Sequence, residues 1–140
     1  MSTVKLAYGA ATALTITLNS LASGSGATSS AIAQSTDLAL DALVEILVTT
    51  GTVGTNPNVA VYAIPSLDGT NYGDVTNAPL IGVISTPSNA TAYRKTMSVA
   101  QAFGGNLPPS YKIYVVNNTG AALAGSGNSG QYVEISGTIV

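Results

Sequence analysis

The sequence predicts an all-β fold, a two-sheet antiparallel sandwich of jelly-roll (Greek-key) type with about eight strands. Three observations predict it. Short runs rich in Val, Ile, Thr and Tyr recur along the 140 residues, and Gly, Pro, Asn and Ser punctuate them. Aromatics are only 6% of a chain that is 46% hydrophobic, which suits a thin core of Val, Ile, Leu and Tyr between two sheets. The densest apolar run, residues 37–50 (DLALDALVEILVTT), reads best with a period of two.

That run has a rival reading as a helix, with Leu40, Leu43, Val44 and Leu47 at helical spacing and Thr36 as a cap. The helix would stack Asp37, Asp41 and Glu45 four apart with no cation to answer them, and its second half is β-branched. As a strand, Leu38, Leu40, Ala42, Val44, Ile46 and Val48 form an unbroken apolar face. The strand is the better reading.

In chain order, residues 1–11 read either as an extended arm or as a first edge strand, with Val4, Leu6 and Tyr8 alternating before Gly9. Residues 12–18 (TALTITL) predict a half-buried strand, and 19–30 (NSLASGSGATSS) a flexible loop. Residues 59–64 (VAVYAI) predict a strand returning from 38–50, so a hairpin is expected over 38–65. A long loop with an Asp68-Gly69 turn follows. Residues 80–85 (LIGVIS), apolar on both faces, predict a central strand.

Residues 91–99 turn Tyr93, Lys95, Met97 and Val99 one way and Arg94, Thr96 and Ser98 the other, which implies a solvated or partner-facing strand. After Pro108 and Pro109, residues 111–116 (YKIYVV) are another strand; 120–130 predict a second flexible loop, and 131–140 (QYVEISGTIV) a closing strand. The whole chain, 1–140, is expected to be one sandwich domain.

Composition excludes several functions. Asp, Glu, Lys and Arg make up 7% of residues, against about 25% in a soluble domain, so Ser, Thr, Asn and Gly must form the surface. A net charge of −2 leaves little repulsion against association, and partner proteins are expected to cover much of that surface. Four cations, Lys5, Arg94, Lys95 and Lys112, are too few for a phosphate-binding face, so no nucleic-acid partner is expected. Residues 1–18 have polar groups spaced through them, which predicts neither a signal peptide nor a membrane anchor. With no His and no Cys, the usual general base, the zinc ligands and the thiol nucleophile are missing; no cofactor is expected.

Three chemistries remain to be weighed against plainer readings. Asp41 and Glu45 on one strand face could be a glycosidase pair, but solubilising charges explain them better. Asp68, Asn71 and Asp74 offer oxygen ligands without the spacing of a calcium loop, so an Asx-rich turn is preferred. Tyr62, Tyr72, Tyr93, Tyr111 and Tyr114 would suit a sugar-stacking platform and equally a capped core or a protein interface.

The segments LNSLASGSGATSSAIAQSTDLALDALVEI (18–46), VAVYAIPSLDGTNYGD (59–74) and QYVEISGTIV (131–140) together resemble the head cement, or decoration, proteins of tailed bacteriophages. The resemblance spans most of the chain and its residues are structural. It implies a non-enzymatic homodimer on the outer surface of the virion's icosahedral head, made in the host bacterial cytoplasm and clamping neighbouring major capsid proteins against DNA pressure. The expected contacts, to capsid or to a second copy, are Val4, Lys5, Leu6 and Tyr8 of the N-terminal segment, with Arg94, Lys95 and Lys112 as rare charges. The alternative is a carbohydrate-binding or host-recognition module on the virion surface.

Overall fold

The period-two reading of the densest apolar run holds in the computed structural model, which describes residues 1–34 and 39–140. β5 is assigned to Asp41–Thr49, and its even residues Ala42, Val44, Ile46 and Val48 have no exposed surface. Leu40, expected on that inner face, lies just outside the strand and is half exposed; Asp37 and Leu38 fall outside the described residues.

The other strands are β1 (Val4–Tyr8), β2 (Thr12–Ala13), β3 (Gly26–Thr28), β4 (Ile32–Ala33), β6 (Asn58–Ser66), β7 (Leu80–Ser85), β8 (Ala92–Ser98), β9 (Ser110–Asn118) and β10 (Ser129–Ile139). One antiparallel sheet runs β1-β10-β5-β8 with β2 also on β10; the other runs β3-β9-β6-β7 with β4 also on β9. β1 with β2, and β3 with β4, each act as one interrupted strand. Counting each pair once, the order is first-eighth-third-sixth in the β5 sheet and second-seventh-fourth-fifth in the β6 sheet. That is the jelly-roll order.

The topology corrects the expected hairpin. β5 and β6 lie in opposite sheets, and the chain between them crosses from one layer to the other. Each strand has an inner face to bury, Val44, Ile46 and Val48 on one side and Val59, Val61 and Ala63 on the other, and all six join one core with Ile113, Val115 and Tyr111 of β9. Pairing edge to edge would have left those faces without a second layer.

β7 is corrected as well. It pairs only with β6, so it is an edge, and its two-sided apolar pattern leaves Leu80 and Val83 partly exposed. Residues 12–18 bury Leu14 and Leu18 as their alternation predicts, but only Thr12 and Ala13 join a ladder. The remainder crosses the side of the sandwich, taking Leu14 N–H to Gly130 O (2.8 Å) in one sheet and giving Thr15 O to Ser30 N–H (2.9 Å) in the other.

The two loops expected to be flexible are tied down. Asn117, fully buried, donates from Nδ2 to Leu21 O and Ala121 O (both 2.8 Å), while its Oδ1 accepts from Thr119 N–H and Oγ1. Asn128 donates to Asn19 Oδ1 and Ala124 O and accepts from Thr49 N–H (2.7 Å). Gly120 sits at φ +99°, where a Cβ would come within 2.7 Å of Gly54 N. Only glycine fits that crossing of two loops.

Candidate interaction surface

The N-terminal segment is an edge strand with an unusual position. β1 pairs antiparallel with residues 135–139, Val4 opposite Ile139 and Tyr8 opposite Ile135, whereas β10 meets β5 only as far as the Ile135–Asp41 pair. Beyond that row, β1 and the end of β10 continue as a two-stranded ribbon with no described third strand. Val4, Leu6, Tyr8 and Ile139 are each 60–74% exposed. By register, these four and Ile135 share the outward face of the β5 sheet, continuous with Val133 and with Leu43 and Leu47 of β5.

The middle of that face is polar. Glu45 accepts from Arg94 Nη1 (2.8 Å) and from Gln131 Nε2 (2.9 Å). Arg94 is 58% exposed, so the ion pair is worth less than about 1 kcal/mol. A shallow groove of 450 Å³ lies between this pair and the ribbon, walled by Tyr8, Leu43, Thr96 and Val133. Its apolar half was legible in the odd positions of β5, where Leu43 and Leu47 interrupt the charges. Ile139 and Val140 are contact candidates that sequence reasoning passed over.

The remaining predicted contacts do not join this patch. Lys95 stands opposite Ile46, on the inward side of the β8 edge, and donates from Nζ to Val83 O of β7 (2.8 Å), bridging the two sheets. Lys112 belongs to the outer face of the β6 sheet, its Nζ 4.2 Å from the centre of the Tyr72 ring. With Lys5 on the opposite side of the ribbon from Val4, Leu6 and Tyr8, the site residues therefore fall into four places.

The residues weighed for chemistry have structural partners. Asp41 accepts from Ser98 Oγ (2.6 Å) and from the N–H groups of Ala42 and Ala100, holding the single turn at Ala100–Phe103. Glu45 lies four residues further along the same strand, about 13 Å away at the usual rise, beyond the spacing of a glycosidase pair. Asp68 forms an Asx turn: its Oδ1 accepts from the N–H groups of Thr70 and Asn71, and its Oδ2 from Asn71 Nδ2. The Asn71 amide bonds, then those from Thr70 and Ser66, hold its carboxyl well below the usual range.

The tyrosines are dispersed. Tyr111 is fully buried, and burial, then the charge of Glu134, pushes its hydroxyl pKa well up. Tyr93 accepts from Ser88 N–H (2.9 Å). Tyr62 and Tyr114 form a tilted pair on the outer β6 sheet, rings 6.1 Å apart, and Tyr114 lies across Gly26, where any Cβ would strike its ring. Tyr72 borders a groove of 630 Å³ with Thr15, Thr17, Thr28, Ser30 and Lys112, but the Lys112 ammonium already covers one face of its ring.

No protein-family description matches the sequence, and neither does any curated protein. Among solved structures, the chain is similar to the C-terminal CBM6 of LamC, a marine laminarinase from Zobellia galactanivorans: 13% identity, TM-score 0.45, over 94% of this chain and 99% of that one. It is also similar to Xylanase10C (mutant E385A) from Cellvibrio japonicus in complex with xylopentaose, at 13% identity and a TM-score of 0.34, over 93% of this chain and 22% of the xylanase. These values are too low to carry a role from those proteins to this one.

Proposed function

We propose that this protein is a non-enzymatic structural component of a tailed-phage virion, a jelly-roll cement protein that binds the outside of the icosahedral head and joins neighbouring major capsid proteins. The observation that carries the reading is the ribbon of Val4, Leu6, Tyr8 and Ile139, apolar and exposed, overhanging a sandwich whose own core is complete without it. A two-stranded ribbon is marginally stable by itself in water, so a partner surface is its natural cover. A charged-residue content of only 7%, and the resemblance of 18–46, 59–74 and 131–140 to head cement proteins, support the same reading. Cementing needs no strong single site: modest burial at each junction is multiplied by the symmetry of the head.

The test is a saturation curve of the purified protein on phage heads assembled without it, followed by the temperature at which the heads rupture. Binding that saturates at a fixed ratio to capsid subunits and raises the rupture temperature is the expected result. Heads that bind none, or bind without gaining heat resistance, would overturn it.

The hydroxyl-lined groove beside Tyr72 favours a second reading, a carbohydrate-binding module. A sugar ring would stack on the face of Tyr72 opposite Lys112 or displace its ammonium. On this reading the wild-type protein binds an oligosaccharide such as xylopentaose in a calorimetric titration, and Tyr72→Ala abolishes that heat while leaving head binding intact.

A further inference from the structure

We infer that β1 receives an extended strand of a partner polypeptide along its outer edge, one that is aliphatic at alternate positions and carries a carboxylate opposite Lys5. The inference rests on the reading of the ribbon as a contact surface and specifies how that contact is made.

The register decides which backbone groups are available. Thr3 and Val140 exchange both N–H···O bonds (3.0 and 2.9 Å), and Gly9 N–H donates to Glu134 O (2.8 Å). Hydrogen-bonded pairs therefore fall at residues 3, 5, 7 and 9 of the N-terminal strand, because antiparallel pairs alternate. Val4, Leu6 and Tyr8 are the non-bonded pairs, and their N–H and C=O groups point away from β10. No described residue answers them. The residues with unpaired backbone are thus the ones whose side chains form the exposed apolar row.

The other sheet edges are guarded. β8 and β7 lie side by side, and Lys95 Nζ bonds Val83 O between them. β3 and β4 are short, and the crossing segment that carries Thr15 takes the Ser30 N–H. Inward-turned lysines, short strands and covering segments are the devices by which sheets avoid edge pairing. β1 has one of them, since Lys5, its one charge, projects by register from the inward side, opposite Val4, Leu6 and Tyr8, while the backbone groups of those three residues stay open along the edge.

Lys5 selects the occupant. An added strand bonds to β1 at Val4, Leu6 and Tyr8, so Lys5 faces a non-bonded position, where side chains come closest and a carboxylate would pair with its ammonium. A second copy is the poorer fit. Pairing all of VKLAY with itself sets the two Lys5 residues at diagonally adjacent positions, about 7–8 Å apart along the backbones, like charge beside like charge with no carboxylate in the strand. Backbone addition with alternate side-chain contacts is an established mode of peptide capture.

Hydrogen exchange on the intact wild-type protein, alone and on phage heads assembled without it, tests the inference. The amides of Val4, Leu6 and Tyr8 should exchange freely in solution and at least tenfold more slowly on heads. Leu6→Pro removes an outward donor and places a ring on the open edge without touching the β10 ladder, a position proline tolerates. It should weaken head binding more than tenfold, and Leu6→Ala by less. Unchanged exchange on saturated heads overturns strand addition, as does wild-type binding by Leu6→Pro. If Leu6→Pro binds normally while Val4→Ser/Tyr8→Ser does not, the ribbon makes contact by its face alone. If no ribbon variant alters binding, the contact reading fails with it. A wild-type dimer in sedimentation that Leu6→Pro converts to monomer assigns the edge to a second copy and overturns the foreign strand.

Discussion

The two ends of this sandwich solve opposite problems. At one end the loops 19–25, 50–57, 86–91 and 117–128 contain no charged residue and little that is large and apolar, yet they interlock. Asn117, Asn128, Thr50 and Asn89 act as staples: Thr50 Oγ1 donates to Ser88 O (2.7 Å) and Asn89 Oδ1 accepts from Val53 N–H (2.8 Å). Thr86 Oγ1 is the exception, a buried hydroxyl without a partner among the described residues. At the other end, the ribbon is apolar and contributes nothing to the core. Polarity and apolarity thus do not sort into surface and interior here. Side chains that satisfy buried backbone groups hold the polar end together, and the apolar end is left exposed.

The largest effect should come from removing a staple. Asn117→Ala would leave the carbonyls of Leu21 and Ala121 and the Thr119 N–H and hydroxyl to find other partners in a buried site. Several unsatisfied groups at once should cost about 3–5 kcal/mol, lowering Tm by roughly 10 °C or more in a domain of this size. A loss under about 1 kcal/mol in chemical denaturation would mean that the loops are held by something other than these bonds, and the contrast between the ends would dissolve.

A smaller effect, of opposite sign, is expected at the ribbon end. The Tyr111 hydroxyl is buried without a hydrogen-bond partner among the described residues. Tyr111→Phe should therefore stabilise the protein at neutral pH, by about 1 kcal/mol. The same substitution changes the alkaline limb. The folded hydroxyl's pKa lies above its ordinary value of 10.0, so above pH 10 the unfolded chain ionises first and stability falls as pH rises. Denaturation curves between pH 9 and 11 should slope downward for the wild type and less steeply for the Phe variant. Parallel slopes would mean that Tyr111 is not the group responsible.

Much of this was legible in the sequence, and the misses share a cause. Period-two alternation located β5, β6, β8, β9 and β10 and the inner face of β5, because burial between two layers imposes that period on the side chains. It could not decide which strands pair: 38–50 and 59–64 are consecutive and both apolar, but nothing local tells an edge-to-edge hairpin from a crossing between layers. LIGVIS read as central because apolar residues on both faces usually mean burial, and β7 is an edge whose outer face stays partly open. The loops rich in Ser, Gly and Asn read as flexible because staples such as Asn117 to Leu21 join residues almost a hundred apart in the chain. At the site, alternation marked Val4, Leu6 and Tyr8, but the overhang that exposes them depends on where β5 begins relative to β10.

The smallest effect on stability should come from the ribbon, and it is the most informative. Val4→Ser with Leu6→Ser removes two large apolar side chains, a change that in a core would cost several kcal/mol. Here both residues are more than half exposed and lie beyond the end of β5, so the loss should stay within about 0.5 kcal/mol and Tm within about 2 °C of wild type. Binding to heads assembled without the protein should nonetheless weaken more than tenfold, since the substituted side chains are then the ones that partner protein covers. A large drop in Tm would show that the ribbon belongs to the folding core after all. A variant with wild-type stability and wild-type head binding would leave the apolar overhang without a role and shift attention to the Leu43–Val133 face beside it.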